Sequence, residues 1–151
     1  MLDKLFAQFR KDQNNDAVEA DALPLAFTAL LVEAARADEE YTDEERAMID
    51  HLVAAQFGKT QAEAKALRDQ AEQEQAAAND LYGFSRVVKE GLDREGKLKL
   101  IEDMWMIALT DEQKAPYEEM IIRRLVGLIH LEDTDSTAAR HRAAQRLETS
   151  A

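Results

Sequence analysis

Two segments of this chain, residues 23–37 and 98–109, are long enough to make helices and apolar on nearly every side. In the first, Leu25, Phe27, Leu30, Leu31, Val32, Ala34 and Ala35 leave no continuous polar face. Leu98, Leu100, Ile101, Met104, Trp105, Ile107 and Ala108 do the same in the second. A helix that is apolar all round must be enclosed by other elements. A chain of 151 residues has the length of one ordinary domain and can enclose both. Low glycine and proline counts, 5 and 2, with abundant Ala, Glu, Leu and Arg, favour helix over sheet. The expected fold is all-α. It is a compact bundle of about eight helices, built from two related helix–acidic turn–helix halves around two buried central helices.

Local signals place the other helices. Residues 1–11 put Leu2, Leu5, Phe6 and Phe9 on one face of an amphipathic N-terminal helix, and 12–22 read as a polar linker. That helix is expected to fold back over a groove of its own domain; peripheral contact with a membrane or partner is the alternative. The main domain spans 23–147, and 148–151 form a tail. Pro24 suits a first helical turn, where a missing N–H costs nothing. Thr42 and Glu45 form a capping box ahead of an inward stripe of Met48, Ile49, Leu52, Val53 and Phe57, which Gly58 closes. Thr60 and Glu63 form a second box, opening a helix whose one large apolar residue, Leu67, predicts a surface position. Asn79 or Asp80 caps a helix with the stripe Leu81, Phe84, Val87, Val88 and Leu92. Asp93 and Gly96 mark a break, Pro116 begins a further helix, and Thr134 or Asp135 caps a last, basic one.

Charge and composition exclude several function classes. A net charge of −12 repels nucleic-acid phosphates and anionic lipid, and favours a divalent cation or a basic protein surface as partner. With 0 cysteines there are no disulfides, thiolate metal sites or cysteine nucleophiles, which fits a cytoplasmic protein. Asp3 interrupts the start where a signal peptide would be apolar, and no run approaches the roughly 20 apolar residues of a membrane span. His51, His130 and His141 make no zinc pattern, no serine sits in a nucleophile context, and no glycine loop cradles phosphate. No enzyme and no cofactor other than calcium or magnesium is expected. Trp105, Tyr82 and Phe84 read as core. Arg140, His141, Arg142 and Arg146 read as a basic strip on a solvated helix, with self-association as the alternative.

An internal repeat singles out the acidic turns. An offset of 73 residues carries Asp38 onto Asp111, and with it Ala35 onto Ala108, Glu39 onto Glu112, Glu45 onto Glu118, Ile49 onto Ile122, Leu52 onto Leu125 and Val53 onto Val126. Apolar coincidences at helical spacing are common; acidic coincidences in a turn do not follow from core packing. Glu44, Glu45, Glu118 and Glu119 lie in first turns, where a carboxylate gains roughly 0.3–1 kcal/mol from the helix dipole. Asp38 and Asp111 instead follow carboxyl ends, where the dipole disfavours negative charge. They either cap the next helix or belong to a cation or partner site. The turn is no EF-hand, because, counting Asp38 as the first position, Asp43 stands sixth where glycine is required and Ile49 stands twelfth.

The segments Ala34-Ala35-Arg36-Ala37-Asp38-Glu39-Glu40 with Asp43-Glu44-Glu45, and Ala108-Leu109-Thr110-Asp111-Glu112 with Pro116-Tyr117-Glu118-Glu119, resemble the two signature segments of tellurite-resistance TerB-like proteins. Glu39 and Glu112 stand where that family commonly has glycine. The resemblance implies an all-helical fold with two related halves, tellurite and stress resistance, and acidic surface positions associated with metal ions. Here those positions are Asp38, Glu40, Glu45, Asp111 and Glu118. A related domain fused to DnaJ-like co-chaperones implies an interaction module. The expectation is a non-catalytic acidic binding or scaffold module with protein partners. The alternative is a calcium or magnesium sensor or buffer.

Overall fold

The computed structural model describes residues 15–37, 40–78, 81–110 and 115–149. These form seven helices and no strand among the described residues: α1 Asn15–Ala35, α2 Asp43–Phe57, α3 Gln61–Ala78, α4 Leu81–Gly91, α5 Arg94–Thr110, α6 Ala115–Leu128 and α7 Asp133–Thr149. The amphipathic segment 1–11 lies outside the described residues.

α1 and α5 occupy the centre, as their all-round apolarity requires. α1 touches α2, α3, α4, α5 and α6, and α5 touches α1, α2, α6 and α7. From Ala26 to Ala35 only Glu33 escapes burial, and from Leu100 to Ala108 every residue is buried. The two halves share a plan: α1 packs most extensively on α3, and α5 on α7. The offset pairs share burial as well. Ala35 and Ala108, Ile49 and Ile122, Leu52 and Leu125, and Val53 and Val126 all lie in one core. α4 joins the halves, resting on α1 and α6.

The caps read from sequence close as expected in α2 and α3. Glu45 N–H donates to Thr42 Oγ1 at 3.2 Å while Thr42 N–H donates to Glu45 Oε1 at 2.9 Å. Thr60 and Glu63 repeat the exchange at 3.1 and 2.9 Å. Gly58 ends α2 at φ 62°, a left-handed position that glycine occupies without Cβ strain.

Several expectations need correction. Helix α1 starts at Asn15, so residues 15–22 are helical rather than linker, and Pro24 lies inside the helix rather than in its first turn. A proline there removes one backbone donor; its own carbonyl accepts the Thr28 hydroxyl at 2.7 Å. α3 is not a mere surface helix, because Ala64, Leu67 and Ala71 bury one face. Small side chains bring its backbone close to α1, which a count of large apolar residues overlooks. The last helix starts after Glu132, whose N–H donates to Asp135 Oδ2 at 2.9 Å; neither Thr134 nor Asp135 holds the cap position. Tyr82, placed in the core from its neighbours, is 66% exposed. Asn79 and Asp80 lie outside the described residues.

Candidate functional site

The acidic turns are the starting point. Glu40 is exposed just ahead of α2, and Glu45 sits in the first turn of α2 only 3% exposed. Its offset partner Glu118, in the first turn of α6, is 0% exposed. Asp38 and Asp111 lie outside the described residues. First-turn carboxylates on the surface need no explanation beyond the helix dipole, but two buried ones at matching positions do, since burial penalises the charged form. Glu45 Oε1 accepts from both the Thr42 amide and the Thr42 hydroxyl, the latter at 3.1 Å, so one of its oxygens is committed to the cap. Carboxylate oxygens are the donors that calcium and magnesium prefer. Among the described residues, however, no three His, Asp or Glu side chains gather closely enough to hold an ion.

Most of the polar chemistry lies elsewhere, in two ion networks between helices. In the first half, Arg68 of α3 donates Nε to Asp50 Oδ1 of α2 at 2.7 Å and Nη1 to Glu72 at 3.2 Å. Arg46 reaches Glu72 at 3.4 Å and lies over the Tyr41 ring at 4.2 Å, with Arg36 at 5.1 Å from the same ring. Burial opposes the Arg68 charge, but Asp50 and Glu72 outweigh it and hold the guanidinium above its ordinary value. Burial and the Glu72 carboxylate push the Tyr41 phenol up in turn. Arg36 donates to Gln75 Oε1 at 2.6 Å, and Gln75 to Glu33 Oε2 at 2.7 Å, so the chain of contacts runs on to α1.

In the second half the basic strip of α7 turns inward. Arg142 Nε donates to Glu102 Oε1 at 2.8 Å, and Arg146 Nη1 to Glu102 Oε2 at 2.7 Å and Asp103 Oδ1 at 3.0 Å. Lys99 adds 3.2 Å to Glu102 and 3.5 Å to Asp103. Burial raises Asp103 to about 6 against the pull of Lys99 and Arg146. Glu102 is opposed by burial too, yet its two arginines and Lys99 carry it below the usual carboxylate range. Arg140 lies 4.9 Å over the Trp105 ring, whose Nε1 donates to Ser136 Oγ at 3.1 Å. Arg140, Arg142 and Arg146 therefore clamp α7 onto α5 rather than forming a free strip. Glu102, Asp103 and Arg68 escaped the sequence reading. The readable signal was two adjacent acids in the middle of an otherwise buried helix.

His51 and His141 are exposed, as ordinary surface histidines are. Among the described residues no helix is long and apolar enough to cross a membrane.

The family model for tellurite resistance protein TerB matches residues 24–141, which include both acidic turns and all seven described helices in whole or part. Comparison with curated proteins and with solved structures gives no match.

Proposed function

This chain belongs to the tellurite resistance TerB family, and from that premise we propose that it works by binding, as a non-catalytic acidic scaffold of the stress-response type. One observation carries this reading. Among the described residues, the displaced groups Tyr41, Arg68, Glu102, Asp103 and Arg146 are spent on networks between helices, and Glu63 and Asp135 on caps. None of them lines the grooves bounded by Tyr82 and His130, by Trp105 and Arg140, by Leu25 and Phe84, or by Gln56 and Lys99. Acid–base catalysis is commonly served by a group that burial and neighbours tune toward the working pH and that faces a reactant; recognition needs only an accessible surface of suitable charge. The carboxylates ahead of α2 and α6 suit a basic protein face, in keeping with a net charge of −12.

The test compares the purified chain with an Asp38→Asn, Glu40→Gln, Asp111→Asn variant as baits for cross-linked partners in a cytoplasmic extract. Partners retained by the wild type and lost by the equally stable variant are the expected result. Retention indifferent to the substitutions would refute the acidic-turn surface.

A second reading, a calcium or magnesium sensor or buffer, draws on the matched burial of Glu45 and Glu118. Titration calorimetry separates the two. Heat at millimolar-range calcium that vanishes in an Asp38→Asn, Asp111→Asn variant supports the sensor, and its absence in the wild type removes it.

A further inference from the structure

A groove of about 520 Å³ lies between α4 and the carboxyl end of α6, walled by Tyr82, Arg86 and Lys89 on one side and Gly127, Leu128 and His130 on the other. Tyr82, Arg86 and Lys89 share one face of α4 at helical spacing. Neither Arg86 nor Lys89 enters an ion pair among the described residues, whereas Arg46, Arg68, Arg142 and Arg146 all do. No carboxylate is among the described lining residues. In a chain of net charge −12, these two cations therefore face one groove with no described carboxylate beside them.

The opposite wall supplies an independent observation. His130 adopts φ 63°, the left-handed region, and no other non-glycine residue among those described does so. Its N–H donates to Gly127 O at 3.3 Å, and the Leu131 N–H to Val126 O at 2.9 Å, the paired closure of a helix end. In the first half α2 ends on Gly58 in the same conformation, so a glycine serves this fold equally well. A side chain held at a left-handed position is strained, and strain concentrates where a side chain is used. Here the imidazole lines the groove. A Cβ added at Gly127 would meet nothing within 4 Å, which leaves room for a ligand against the α6 backbone. The two carbonyls bonded by His130 and Leu131 are screened, which weakens the negative end of the α6 dipole facing the groove.

We propose that this groove binds a small phosphate-bearing ligand, with Arg86 and Lys89 on the phosphate, His130 as a further donor, and the exposed Tyr82 ring at the rim against any flat group the phosphate carries. Guanidinium and ammonium groups together are the donors phosphate recognition favours. The contact is short-ranged, so the overall negative charge, screened beyond about 8 Å in physiological salt, does not prevent it. The site is built from residues other than the acidic turns and goes beyond the scaffold reading.

The experiment titrates the full chain with inorganic phosphate and separately with adenosine monophosphate, following amide chemical shifts and heat. Saturable binding by about 10 mM, with shifts at residues 82–89 and 127–130, is expected. An Arg86→Gln, Lys89→Gln variant should lose about tenfold or more in affinity at an unchanged melting temperature. His130→Gly should melt higher yet bind several-fold more weakly, a combination that a purely structural role would not give. Tighter binding of the nucleotide that is abolished in Tyr82→Ala identifies a ring-bearing phosphate ester; equal binding identifies the free anion. No saturation with either probe, or affinity unmoved by the double variant, overturns the site.

Discussion

Arg146 of α7 sits 2.7 Å from Glu102 of α5, and with Asp103 on its other side it pins the last helix of the domain to a central one. Glu102 and Asp103 are nearly out of reach of solvent, while the Arg146 side chain keeps 33% of its surface. Removing a partner from a buried pair costs more than the pair contributes, because the stranded charge stays buried. Arg146→Met should therefore destabilise the fold by roughly 3 kcal/mol, read as a lower urea midpoint at unchanged slope. Lys99→Met, which removes longer contacts to carboxylates that Arg146 still holds, should cost less, about 1 kcal/mol.

The same clamp gives a pH dependence of definite sign. Asp103 is raised to about 6 in the fold, above the roughly 3.9 of an unfolded aspartate, so the folded state holds this proton more tightly. Its contribution is present in full below about pH 4 and is lost as the pH rises through about 6. Glu102, which is lowered, acts oppositely and stabilises the fold above its unfolded value. Asp103→Asn should flatten the part of the stability profile that falls between about pH 4 and pH 6. Urea titrations across that window check it; an unchanged profile would dismiss the assignment.

The two capping boxes should differ in worth. Both Thr42 and Thr60 accept the amide three residues on, but Glu45 is buried and Glu63 is exposed. Thr42→Ala should cost about 2 kcal/mol, the upper end for a cap, and Thr60→Ala about 1 kcal/mol or less. Equal losses in thermal melts would mean that burial of Glu45 adds nothing to the first box.

Arg68 provides the corresponding test in the first half. Its side chain keeps only 8% of its surface and faces both Asp50 and Glu72. Arg68→Met should cost at least as much as Arg146→Met, on the order of 3–5 kcal/mol. Because Arg68 shares Glu72 with Arg46, which lies over the Tyr41 ring, the variant should also change the tyrosine near-ultraviolet circular dichroism, which a packing defect remote from Tyr41 would leave alone.

Residue order alone dictated the parts of this molecule that depend on near neighbours. The two central helices follow from apolar residues on every face of 23–37 and 98–109, the start of α2 from Thr42 and Glu45, its end from Gly58, and the twofold plan from the offset between Asp38 and Asp111. Each is written within a few turns of chain, where spacing fixes which side chains meet. Tertiary packing decided which polar groups the core accepts. Nothing local to Glu102 or Asp103 announces that arginines some 40 residues later will face them, nor that Ala64 and Ala71 will draw α3 inward. Those outcomes depend on how helices distant in sequence cross, and a buried charge is tolerated only where that crossing delivers its partner.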